Sequence, residues 1–210
     1  MNRSHTFRSG MSLIELIMFM AFFSVCAGVL INVLMSTNEQ RVRQQMIAGV
    51  EQEGMQIMQT LTRRVRRAER IAYPLRGESG SVLSVQVAEQ SQDPTIIALE
   101  TGAIRVAEKN VLRNLSSEGL TITNLVFQNT SATSSNHSVR IIFTASKSTG
   151  LPTGGIYQRE FQSLITLFPD DDLAGNPCAC STPTCVSDIF DWGYCDGENC
   201  VDSGEELLCE

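Results

Sequence analysis

Between Met11 and Met35 the chain reads MSLIELIMFMAFFSVCAGVLINVLM, 25 residues that carry one charge, Glu15. At about 1.5 Å rise per residue, a helix of that length crosses a hydrocarbon core of roughly 30 Å. It is therefore read as a transmembrane segment. A cleaved secretory signal fits poorly: its apolar stretch spans only about 7 to 15 residues and its small residue follows the stretch. Here Gly10 precedes it, and Arg3 and Arg8 lie on the same side. That basic flank should stay cytoplasmic. A carboxylate inside hydrocarbon costs a few kcal/mol and calls for a cationic partner, yet no base occurs within the run.

Charge and cysteine are distributed as unevenly as hydrophobicity. The net charge of -7 hides a tail, Pro169 to Glu210, with 11 acids and no base, behind residues 1 to 168 with 16 bases and 12 acids. Six of the seven cysteines, Cys178, Cys180, Cys185, Cys195, Cys200 and Cys209, fall in that tail. Such a chain reads as modular, with its tail in an oxidising compartment. The seventh, Cys26, lies within the apolar run, where it behaves as a small hydrophobe.

Beyond the run, Val42, Met46, Val50, Ile57, Leu61, Val65 and Ala68 recur at steps of mostly three and four, the period of an amphipathic helix. Gly28, Gly49 and Gly54 weaken that helix and would permit curvature. Its end carries the strongest basic cluster, Arg63, Arg64, Arg66, Arg67 and Arg70. Binding to DNA would set these arginines against phosphates, but no aromatic residue interleaves with them. A solvated face pairing with acidic neighbours is the expected use.

Ser9-Gly10-Met11-Ser12-Leu13-Ile14-Glu15 resembles the type III signal of type IV pilins and type II secretion pseudopilins. The resemblance implies cleavage between Gly10 and Met11 by a prepilin peptidase on the cytoplasmic face, followed by N-methylation of Met11. It also gives Glu15 a role in assembly, paired with the N-terminal amine of a neighbouring subunit. The family favours phenylalanine after the cut, and Met11 departs from that. The arginine-rich helix end leading into Ala68-Glu69-Arg70-Ile71, read as a short turn, is similar to J-type minor pseudopilins and minor pilins. The implied partners are major and minor pilins or pseudopilins, the prepilin peptidase, membrane lipid before assembly and the assembly platform. The implied location is the bacterial cytoplasmic membrane, single-pass with the N-terminus inside, and then a fibre whose C-terminal regions are extracytoplasmic.

After Tyr73-Pro74, expected to end the helix, the pattern shifts to short alternating runs at 83–87, 95–101, 104–108, 120–128, 139–146 and 157–168, separated by turn-forming clusters. These predict about six strands of mainly antiparallel sheet. No catalytic constellation is found: His5 lies in the leader, His137 has no fitting neighbour, and no glycine-rich loop meets a phosphate-binding pattern. An enzyme is not expected.

In the tail the cysteine spacings of 2, 5, 10, 5 and 9 allow 15 pairings, and sequence selects none of them. Cys178 and Cys180 are too close to pair comfortably with each other. Zinc knuckles of C-x2-C type are lacking. Asp188, Asp191, Asp196, Glu198 and Asp202 are hard oxygen ligands that fit calcium by type but not by EF-hand order, and no other cofactor is implied. Phe190, Trp192 and Tyr194 are expected inside a small disulfide-held core, with an exposed aromatic patch as the alternative.

The reading is an α+β protein in which a long N-terminal helix, its first half transmembrane, packs on an antiparallel β-sheet, with a disulfide-rich C-terminal extension. It divides into a leader (1–10), a transmembrane half-helix (11–35), an amphipathic half-helix (36–72), a β head (73–168) and an acidic Cys-rich extension (169–210). The function expected is that of a minor pilin or pseudopilin. The alternative is a membrane-anchored extracytoplasmic binding or adhesion protein with a Cys-rich, calcium-binding tail.

Overall fold

The computed structural model describes residues 13–117, 119–132, 137–148, 155–167, 180, 183–197 and 199–209. Two compact units emerge, Met1–Gln45 and Met46–Glu210. Helix α1, Leu13–Arg66, starts in the first and ends in the second. In the second unit its buried positions, Val50, Gly54, Ile57, Leu61 and Val65, step by three or four, so one stripe faces the core as the periodicity requires.

The helix stops at Arg66, short of the expected residue 72, and Ala68–Tyr73 forms a strand instead. Ala68-Glu69-Arg70-Ile71 is thus the start of that strand rather than a turn. Arg63, Arg64 and Arg66 occupy the last helical turn, where cations complement the helix's partial negative end. The next residues gain a sheet partner while Ala68 and Ile71 remain in the same core.

Among the described residues nine strands follow in the head: β1 (Ala68–Tyr73), β2 (Ser79–Gly80), β3 (Leu83–Val87), β4 (Thr95–Glu100), β5 (Ala103–Glu108), β6 (Val111–Asn114), β7 (Thr121–Asn129), β8 (Ser138–Ser148) and β9 (Ile156–Thr166). All six expected strands are among them. They form two sheets, β1-β3-β4-β5-β6 and β2-β7-β8-β9, every pairing antiparallel. Two tight hairpins carry their own signals. Thr101 and Gly102 both have positive φ between the paired Glu100 and Ala103, and Lys109 has positive φ between the paired Glu108 and Val111. Two-residue turns of this kind match the strand twist.

The main core joins the helix stripe to both sheets through Leu83, Val85, Ile97, Ile104, Phe127, Ile141 and Phe143. Gly54 sits where the Phe161 ring packs, and a Cβ there would lie 2.3 Å from two ring carbons. This glycine thus makes room for a close helix-to-sheet approach. The first sheet is also buried on its other face, through Val82, Ile96, Ala98 and Ala107. The tail covers that face.

The tail adds β10 (Thr184–Val186), β11 (Ile189–Asp191), β12 (Gly193–Asp196), β13 (Asn199–Asp202) and β14 (Leu207–Leu208), in the sheets β10-β11-β14 and β12-β13. Phe190, Trp192, Leu207 and Cys209 pack with Val82, Ile96, Ala98 and Ala107 in a second core. Phe190 and Trp192 are therefore buried as expected, but against the head's sheet rather than in a core of the tail's own. A segment this short buries too little apolar area by itself, and the sheet supplies the missing surface.

Candidate functional site

Three features stand out: the exposed apolar helix, the seat of the tail on the first sheet, and a cleft between that sheet and the tail that is lined by a carboxyl with a raised pKa. In the first unit every large apolar side chain from Leu13 to Met35 is exposed, 16 in all, with Leu13 at 75% and Phe22 at 70%. That far exceeds the apolar patch a soluble monomer shows. The helix is long and apolar enough to cross a membrane. Polar side chains on it are satisfied locally: Asn32 Nδ2 donates to Gly28 O at 3.0 Å and Thr37 Oγ1 to Val33 O at 2.7 Å, so neither needs water. Glu15 is the exception. It is exposed and makes no hydrogen bond or ion pair among the described residues. Gly10 and Met11 lie outside the described residues. Cys26 is a half-buried free thiol.

Arg64 pairs with Glu108 on β5, which Arg113 also approaches at 4.0 Å. Exposed Arg63, Arg66 and Arg67 rim a groove of about 580 Å³ floored by Met55, Met58 and Phe161. One arginine of the cluster thus pairs within the chain, as a solvated face would, and these three border an amphipathic surface.

The Lys109 turn holds the tail in three ways. Its carbonyl accepts the Trp192 Nε1–H at 2.9 Å, its ammonium lies 4.8 Å from the Tyr194 ring centroid, and the same ammonium is 3.8 Å from Asp196. Disulfides Cys180–Cys200 and Cys185–Cys209 close the tail on itself. Cys195 is disulfide-bonded too, although its cross-strand neighbour Cys200 is taken by Cys180. Cys178 lies outside the described residues. The second bridge spans a sequence separation of 24, for which loop-closure entropy corresponds to about 3 kcal/mol. The double replacement Cys185→Ser with Cys209→Ser is expected to lower stability by about that amount, read as a shifted urea midpoint of the full chain in detergent.

The calcium candidates do not converge. Asp188 stands in the β10–β11 turn at positive φ, Asp191 ends β11, and Asp196 and Asp202 lie on β12 and β13. Glu198 lies outside the described residues. Among the described residues no three His, Cys, Asp or Glu gather as metal ligands.

Where the edge of the first sheet meets the tail, a cleft of about 300 Å³ opens between β1, β3, the Asp93-Pro94 segment and β12. Ser84 lies on its floor, fully buried, and its Oγ has no hydrogen-bond partner. Asp93 accepts the Val87 N–H at 3.1 Å. Burial raises the Asp93 carboxyl above the ordinary 3.8, outweighing that hydrogen bond and the nearby charge of Arg70. A carboxyl with a raised folded-state pKa supports folding below its unfolded value, and that support is lost as pH rises through the raised value. Asp93→Asn keeps an acceptor for Val87. It is expected to melt above the parent at pH 7 and to lose that advantage as pH falls toward 3.8, which melts across that range would check.

The tail's seat and the cleft are absent from the sequence-derived expectations. A signal for the seat exists in Ile96-Ile97-Ala98-Leu99, an unbroken apolar run that a one-sided sheet would not carry. Comparison with protein-family models, curated proteins and solved structures finds no match.

Proposed function

We propose that this chain is a minor pilin or pseudopilin, a structural subunit with no chemistry of its own, made with a leader that ends at Gly10. The observation that carries the reading is one carboxylate, Glu15, placed five residues past Gly10 on a helix whose large apolar side chains are all exposed as far as Met35. A charge so placed is costly in lipid. Beside a neighbour's N-terminal amine the cost is offset by pairing, so the carboxylate favours the assembled state over the dispersed one. Prepilin peptidase would release the amine at Met11, and N-methylation there would leave it cationic.

The disulfides agree with this placement. They persist in oxidising compartments, which supports a topology with the tail outside the cytoplasmic membrane and Arg3 and Arg8 inside. A tail seated on the head through a second core, and held by bridges, suits a decorated minor subunit better than a repeating shaft. The partners of this reading are other pilins or pseudopilins, the peptidase, lipid before assembly and the assembly platform. The test is expression alongside a fibre-assembly system, followed by mechanical shearing. Recovery of the chain with the fibres is the expected result, and its retention in the membrane fraction while fibres form would contradict it.

A further inference from the structure

The cleft between the first sheet and the tail is built in a way that packing alone does not explain. Ser84 Oγ is wholly buried and unpartnered. Natural proteins rarely leave a buried hydroxyl in that state, since its lost hydration is uncompensated. Around it stand Gln86, Asp93 and Arg70, with Tyr194 on the tail side. Gly193 completes that wall. A Cβ there would meet Cys200 Sγ at 2.8 Å and Cys180 Sγ at 3.4 Å, so the glycine lets the disulfide close against the backbone beside the cleft.

The composition of the cleft narrows the ligand. Ser84 and Gln86 each offer a donor and an acceptor. The carboxylate of Asp93 and the guanidinium of Arg70 offset one another, so the lining favours neither an anion nor a cation. Tyr194, Pro94 and Leu75 supply apolar surface. The volume, about 300 Å³, lies at the small end of ligand-binding clefts.

We infer that this cleft binds an uncharged, hydroxyl-rich ring, a hexopyranose unit, with the Ser84 hydroxyl as the buried hydrogen-bonding group at its floor. A small side-chain shift in the lining opens the Ser84 hydroxyl to the ring, whose other hydroxyls meet Gln86 and Asp93 and whose C–H face meets Tyr194. The assignment does not depend on the fibre: it holds equally for a subunit at a fibre tip and for an uncleaved membrane-anchored chain.

The experiment is saturation-transfer NMR on the full chain in detergent micelles. The probes are methyl glycosides of glucose, galactose, mannose and N-acetylglucosamine at about 10 mM, a level that reports mM dissociation constants. At least one probe is expected to bind. Ser84→Ala should melt no lower than the parent, because it removes an unpartnered hydroxyl, and should weaken that probe at least tenfold. Gln86→Ala should weaken it as well. Silence from all four probes would overturn the assignment, as would a Ser84→Ala chain that binds like the parent. Tenfold tighter binding of methyl glucuronide would overturn the uncharged class. A linear tetrasaccharide of the preferred unit then separates the two sources: a tenfold gain assigns a polymer chain, and equal affinity assigns the free sugar.

Discussion

Replacing Glu15 by alanine is expected to leave cleavage after Gly10 intact and to reduce recovery of the chain in sheared fibres at least tenfold. The physical reason separates this outcome from general damage. Removing a carboxylate from the apolar run lowers the cost of membrane insertion by about 3 kcal/mol, so the variant should enter the membrane at least as well as the parent. A better membrane segment that is a poorer subunit is hard to explain unless the charge acts between subunits. Glu15→Gln, which keeps size and hydrogen bonding but removes the charge, should fail in the same way. Leader removal, read by gel mobility, and fibre content, read by immunoblot, are the measurements. Normal incorporation of the alanine variant would remove the proposed role of Glu15.

Trp192→Ala should be the most damaging single change in the tail. Trp192 is 2% exposed, its Nε1–H is bonded to Lys109 O, and its ring centroid lies 6.4 Å from that of Phe190. Truncating a buried tryptophan costs about 3 to 5 kcal/mol. The loss falls on the interface between tail and sheet, so the tail should become sensitive to protease while the disulfides stay intact. Circular dichroism melts and limited proteolysis of the full chain in detergent would show both effects. Phe190→Ala touches the same cluster and should act less than additively with it. An unchanged melt for Trp192→Ala would mean that the tail contributes no stability to the head.

These expectations rest on parts of the structure that the sequence exposes to different degrees. Strands β3, β4, β5, β7, β8 and β9 could be read within a few residues because alternation and turn clusters mark them. β1 was hidden by what precedes it: the apolar period of the helix runs on through Val65 to Ala68, and nothing in Arg67-Ala68-Glu69-Arg70 breaks a helix by propensity. Its strand state is decided by pairing with β3, a tertiary effect. β6 was missed although Lys109-Asn110 is a plausible two-residue turn.

The tail's position was not legible from the tail itself. Its aromatic residues fit an internal core equally well, and only the run Ile96-Ile97-Ala98-Leu99, in the head, signals that both sheet faces are covered. The cleft has no sequence signature, since Arg70, Ser84, Asp93 and Tyr194 come from four separate segments. The apolar run and Glu15, by contrast, are wholly local, which is why they dominate any reading of the sequence.

The central claim is that a short basic leader is removed and the new N-terminus joins a fibre through Glu15. Intact-mass spectrometry of the protein isolated from membranes tests its first step directly. The account predicts a chain lacking residues 1–10 and carrying one added methyl group on Met11, whereas a chain that retains Met1 to Gly10 would contradict it.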